Sequence, residues 1–223
     1  TIQEAIDAAS PNGGDTIKVL AGEYHENVTI NKPLSLEGVG ENKPTILGGL
    51  TINTSGKVSI ENMNFKVPNE APIDSIHIKK VSELYVNNCS FNGSNLFSSN
   101  DSSGRGIQSD YSDTKAKVTV ENSTFSDGYY IAIQGEFNEL KVINSSISNC
   151  KSGINFQKGG DLIVTNTNIS VVAKGNTNDT YAVRFAGGST SYSANNMTLN
   201  GGTYLVNKGN FTAEPGTYHS AII

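Results

Sequence analysis

The stretch L84-Y-V-N-N-C-S-F91 alternates apolar and polar residues, breaks at two asparagines and resumes its alternation at once. It recurs as V58-S-I-E-N-M-N-F65, V118-T-V-E-N-S-T-F125, L140-K-V-I-N-S-S-I147 and L162-I-V-T-N-T-N-I169. Alternation with period two marks a strand with one buried face, so each copy reads as two short strands joined at a corner. The corner falls on Asn62, Asn88, Asn122, Asn144 and Asn166, with a weaker copy at Asn196. Asparagine tolerates the left-handed backbone region that so sharp a corner needs, and its amide can bond to an identical neighbour stacked on it. The sequence therefore predicts a buried asparagine ladder running along a stack of repeats.

The repeats are spaced by roughly 20 to 35 residues, the range of solenoids. A second motif precedes the first, as S75-I-H-I78, G106-I-Q-S109, I131-A-I-Q134, G153-I-N-F156 and A182-V-R-F185, and supplies a third strand. Three short parallel strands per repeat predict an all-β chain, a single-stranded right-handed parallel β-helix. The segment T1-I-Q-E-A-I-D-A-A9 places Ile2, Ala5, Ile6 and Ala9 at helical spacing before the breaker P11-N-G-G14. Residues 1–10 are therefore expected to form a helix that caps the N-terminal end of the stack. An antiparallel sandwich is the alternative, but it gives no reason for one asparagine at one register. Residues 1–223 read as a single domain, with the polar segment 92–105 protruding as a loop between consecutive repeats.

A chain that is 36% hydrophobic and 17% charged can bury a core, and its net charge of -5 gives no electrostatic reason to expect a nucleic-acid partner. No stretch resembles a membrane helix, so membrane insertion is not expected, and a monomer is. The chain opens on Thr1 with no leader-like segment before it and is expected to be a piece of a longer protein. Abundant Asn, Ser, Thr and Gly, no Trp, and arginine only at Arg105 and Arg184 fit an extracellular protein, secreted or at the cell surface. Cys89 takes the place of Ser123, Ser145 and Thr167 in the repeat, and Cys150 lies two repeats on. At about 4.8 Å per repeat the two thiols are roughly 10 Å apart, too far for a disulfide.

The opening segment followed by G14-D-T-I-K-V-L-A-G-E-Y-H-E-N-V-T-I-N-K-P-L-S-L-E-G38 resembles the start of pectin-lyase-like β-helix proteins, including bacterial and archaeal cell-surface repeat proteins. D74-S-I-H-I-K-K-V-S-E-L-Y-V-N-N-C-S-F91 is similar to a pectate-lyase coil, and the resemblance covers nearly the whole chain. It implies the fold and a binding cleft along the second-motif strand, but not one activity, since the fold carries lyases, hydrolases, epimerases, tailspikes and adhesins. The chain departs from the enzymes. Asn87-Asn88 stand where pectate lyases carry an Asp-His pair, and the N-T-D, D-D, G-H-G and R-I-K motifs of polygalacturonases are missing.

In stacked parallel strands, residues at one register form a column. With Ile76, Ile107, Ile133, Ile154 and Val183 inward, His77, Gln108, Gln134, Asn155 and Arg184 point outward, and Lys79, Asp110, Glu136 and Gln157 form a neighbouring column. A ribbon of donors, acceptors and charges suits an extended polysaccharide or cell-surface glycan. Asp110 and Glu136 on adjacent repeats would lie about 5 Å apart, near the separation of a retaining glycosidase pair. With Arg184 they are the catalytic candidates, and His77, Lys79 and Arg105 extend that set. No cofactor is expected, although Asp110 and Asp113 with Asp101 offer oxygen ligands for calcium without matching an EF-hand. His25, His77 and His219 lack metal-ligand spacing. Two readings stand: a non-catalytic extracellular module for adhesion or display that binds glycan, and a divergent polysaccharide lyase or glycoside hydrolase.

Overall fold

A computed structural model describes residues 1–68, 73–94, 104–110, 115–172, 180–185, 196–207, 210–212 and 216–218. The chain is nearly all-β, with one short helix and parallel sheets. Each repeat contributes a strand to three parallel ladders. The second motif supplies the first ladder, as in Ile76–Lys80 and Arg105–Ser109, and the two halves of the asparagine motif supply the second, as in Glu83–Asn87, and the third, as in Ser90–Asn92. Repeats pair residue on residue: Leu84 with Val58 and Val118, Phe91 with Phe65 and Phe125. In two later repeats the first and second strands fuse, giving Ile131–Ile143 and Ser152–Thr165.

Inward residues of all three ladders meet in one hydrophobic core that runs from Ile2 to Tyr204. In-register pairing stacks like on like. Phe65, Phe91 and Phe125 lie face to face with centroids 4.9 and 4.4 Å apart, and Phe156 stacks on Phe185 at 5.5 Å, while Phe137, out of register with Phe156, meets it tilted at 5.6 Å. Cys89 and Cys150 are free and buried, and burial pushes both thiols up to about 12, so they act as small packing groups.

The corner asparagines adopt the expected backbone. Asn62, Asn88, Asn122, Asn144 and Asn166 have φ between 48° and 56°. Their side chains are not buried, which corrects the expected ladder: Asn88 donates to Asn62 at 2.8 Å and Asn166 to Asn144 at 3.4 Å, but Asn122 turns to Asn87, and the corner faces solvent. The buried ladder belongs to the next residue. The Cys89 N–H donates to Ser123 Oγ (3.1 Å), the Ser123 N–H to Ser145 Oγ (3.1 Å) and the Ser145 N–H to Thr167 Oγ1 (3.3 Å). Each hydroxyl in turn donates to a carbonyl two residues back, at 2.7 Å for Ser123 and Ser145 and 3.0 Å for Thr167. Asn196 makes no corner: it lies in a second-ladder strand opposite Asp161, and Gly201, at φ 72°, takes the corner after Asn166.

Each end of the stack carries a terminating element. The helix α1 (Ile2–Ala8) carries a capping box between Thr1 and Glu4 and buries Ile2 and Ile6, while Ala5 stays exposed. Seven residues make a marginal helix alone. The sheet completes it: Glu26 accepts from the Ile2 and Gln3 N–H groups at 2.9 and 3.1 Å, and the Lys32 ammonium donates to the Asp7 and Ala9 carbonyls. At the other end Gly216–Tyr218 and Asn210–Thr212 pair antiparallel to Asn196–Asn200 and Tyr204–Asn207, a termination that the repeat pattern does not announce. Of the segment 92–105, Asn92 ends one strand and Arg105 begins the next, and 95–103 lie outside the described residues.

Two substitutions separate the exposed corner from the buried stack. Ser123→Ala leaves the buried Cys89 N–H without its acceptor and should cost about 1–3 kcal/mol. Asn122→Gly should be nearly neutral in thermal melting, whereas Asn122→Val should cost about 1–3 kcal/mol through left-handed backbone strain.

Candidate functional site

The expected outward column forms, and it is longer at its N-terminal end. Thr29, Thr51, His77, Gln108, Gln134, Asn155 and Arg184 pair in sequence across seven strands of the first ladder. Thr29 and Thr51 escaped the sequence reading although V28-T-I-N31 and L50-T-I-N53 share a T-I-N triplet at that register.

The column is not uniformly open. His77, Gln108 and Arg184 are half-buried, whereas Gln134 is 9% exposed and Asn155 5%. Asn155 Nδ2 donates to Gln134 Oε1 at 3.2 Å, so these two amides partly satisfy each other. The neighbouring column is interrupted. A register shift after Gly135, whose φ of 140° sets it against Ser109, brings Glu136 opposite Lys158 rather than Gln157. Glu136 is only 4% exposed, Asp110 is turned to His77, and Lys79 points to solvent. Arg184 lies four strand steps from His77, about 19 Å at ordinary strand spacing. Its guanidinium sits 5.7 Å from the Tyr181 ring centroid.

Charge gathers at the N-terminal half. His77 Nε2 bonds Asp110 Oδ1 at 2.7 Å, and its Nδ1 lies 3.7 Å from Asp74 Oδ2. Asp74 also accepts from the Arg105 backbone N–H at 2.9 Å and lies 3.7 Å from the Arg105 guanidinium. The arginine that joins this site is therefore Arg105, entering on the strand after the 92–105 segment, not Arg184. Beside the cluster lies a groove of about 370 Å³ lined by Asn27, Thr51, Asp74, His77 and Arg105, among others. With Nε2 committed to a carboxylate, His77 is held as a fixed polar surface, and the groove presents hydroxyl, carboxylate, imidazole and guanidinium groups to a ligand.

A second groove, of about 580 Å³, runs over the second ladder, where sequence reasoning sought no site. Two of its lysines are paired with carboxylates, Lys57 with Glu83 and Lys141 with Glu139, both at 3.0 Å, while Tyr85 donates to Glu121 at 3.0 Å. Among the described residues no group of three or more His, Cys, Asp or Glu lies together to hold a metal ion, and Asp101 and Asp113 of the calcium expectation, like His219, lie outside them. Among the same residues no helix is long and apolar enough to cross a membrane.

Burial raises the Glu136 carboxyl above its ordinary value of 4.5, against the opposing pull of Lys158 and Lys115. The folded chain thus holds this proton more tightly than the unfolded chain, and stability present below the ordinary value is lost as pH rises through the raised one. Glu136→Gln should melt higher than the parent near neutral pH, with the difference shrinking as pH falls through the raised value and levelling off below about 4.5.

No protein-family model matches the chain, and a search of curated proteins finds no match.

Proposed function

We propose that the chain is a right-handed parallel β-helix of the pectin-lyase-like kind that serves as a non-catalytic extracellular module, at the cell surface or secreted, binding a glycan along its first ladder. The observation that carries this reading is the groove at His77, where Thr51, Asp74 and Arg105 converge on one face with Thr29 and Gln108 in register. Register at about 4.8 Å per strand offers a repeating polar surface commensurate with a sugar ring, and rigid pairing holds it without ordering cost.

The geometry favours binding over catalysis. A glycosidase pair needs two carboxylates free to flank the scissile bond. Asp110 is bonded to His77, Glu136 is buried, and Arg184 lies four strands from His77. The charged part of the ligand face therefore lies in the N-terminal half of the ribbon, at Asp74, His77 and Arg105.

Affinity electrophoresis or calorimetry with neutral and acidic polysaccharides tests this. A chain carrying both His77→Ala and Arg105→Ala should lose at least about tenfold in affinity, or about 1.4 kcal/mol. Unchanged affinity would move the site off this face. New reducing ends or unsaturated products from the parent chain would establish the lyase or hydrolase alternative in place of the binding module.

A further inference from the structure

We infer that Gln108, Glu136 and Asn155 form a subsite for a neutral, hydroxyl-rich ligand, a sugar ring of the glycan proposed above. The inference rests on that reading and specifies its chemistry. Gln108 Oε1, Glu136 Oε2 and Asn155 Oδ1 are buried atoms with no hydrogen-bond partner, and Glu136 and Asn155 are 4% and 5% exposed. Gln108 and Asn155 flank Gln134 in the column. Glu136 lies two residues beyond Gln134 on the same face, because Ile133 and Phe137 both enter the core.

Each of these amides already has a partner for its nitrogen. Gln108 Nε2 donates to the Ser109 carbonyl at 3.0 Å and Asn155 Nδ2 to Gln134 Oε1 at 3.2 Å. The buried atoms of this group that lack a partner are all acceptors. A buried acceptor without a partner is costly, and native chains keep few of them. Three on one face, at strand spacings of about 4.8 Å, mark a place that a ligand's donors complete.

Two kinds of partner suit these oxygens, a cation that they coordinate or hydroxyl groups that donate to them. Calcium takes six to eight oxygens, usually several of them carboxylate. Here one carboxylate stands with two amide oxygens, and the positive charges of Lys158 and Lys115 already act on it, which opposes a further cation. Hydroxyls donate without adding charge. A site whose buried acceptors are completed by hydroxyls also rejects a ligand that lacks them.

The test titrates the whole chain with neutral hexose oligosaccharides, with uronate oligosaccharides of equal length, and with calcium chloride alone, following heat of binding and melting temperature. Neutral oligosaccharides are expected to bind and to raise the melting temperature with chelator present. Gln108→Met and Glu136→Met should each weaken that binding at least about tenfold without lowering the melting temperature of the free chain. If Glu136→Met does not fold, Glu136→Gln, which keeps the shape but exchanges an acceptor for a donor, is measured in its place. Stabilisation by calcium alone that Glu136→Met abolishes would make this a cation site and overturn the inference, as would tighter binding of the uronates. Neutral-sugar binding lost in the His77→Ala, Arg105→Ala chain but intact in both methionine variants would overturn the subsite and leave the glycan reading standing. A parent chain that binds no saccharide overturns both.

Discussion

Every repeat must turn a corner between its second and third strands while delivering a backbone N–H into the buried interior. An unpaired N–H there would cost about as much as several exposed contacts gain. The residue after each corner asparagine meets this demand. Ser123, Ser145 and Thr167 each accept from the N–H of the repeat before, and each hands its own proton to a nearby carbonyl, so the chain of bonds closes within the stack. Cys89 begins the series with a thiol in the hydroxyl's place: the Met63 backbone bonds to its sulfur, and the thiol donates weakly to the Asn87 carbonyl.

The remaining architecture follows from that fixed corner. With the turn set, neighbouring repeats must pair without slippage, because a one-residue slip would exchange the buried and exposed faces of every strand. Exact repetition then stacks Phe65 on Phe91 on Phe125 nearly parallel, at 7° and 3° between planes. It also aligns polar groups outside, which is how His77 comes to share a column with residues far apart in sequence.

Where the repetition is broken, chemistry becomes available. The strand Arg105–Ser109 enters after the 92–105 segment, and its first residue meets Asp74 of the preceding repeat, producing a charged groove in a face that is otherwise hydroxyl and amide. At Gly135 the ladder shifts register and sets Glu136 opposite Lys158, and the burial of Glu136 there raises its proton affinity. A regular ladder alone would have displayed Asp110 and Glu136 side by side.

The sequence by itself determined the repeat, the strand alternation, the corner asparagines, the capping helix and the outward column from His77 to Arg184. These are local: they depend on side-chain period and on which residues accept a left-handed backbone, and both can be read along the chain. Only the tertiary structure decided which polar residues are buried. Ser123 and Asn122 are adjacent and similarly polar, yet one lies in the core and the other in solvent, because the corner's φ sends their side chains in opposite directions. Likewise nothing in I131-A-I-Q-G-E-F137 says that Gln134 and Glu136 are covered, or that Asp74 rather than Lys79 joins His77. Burial and partnership of charged groups are set by neighbouring repeats and by register shifts, which are properties of packed strands and not of any one segment.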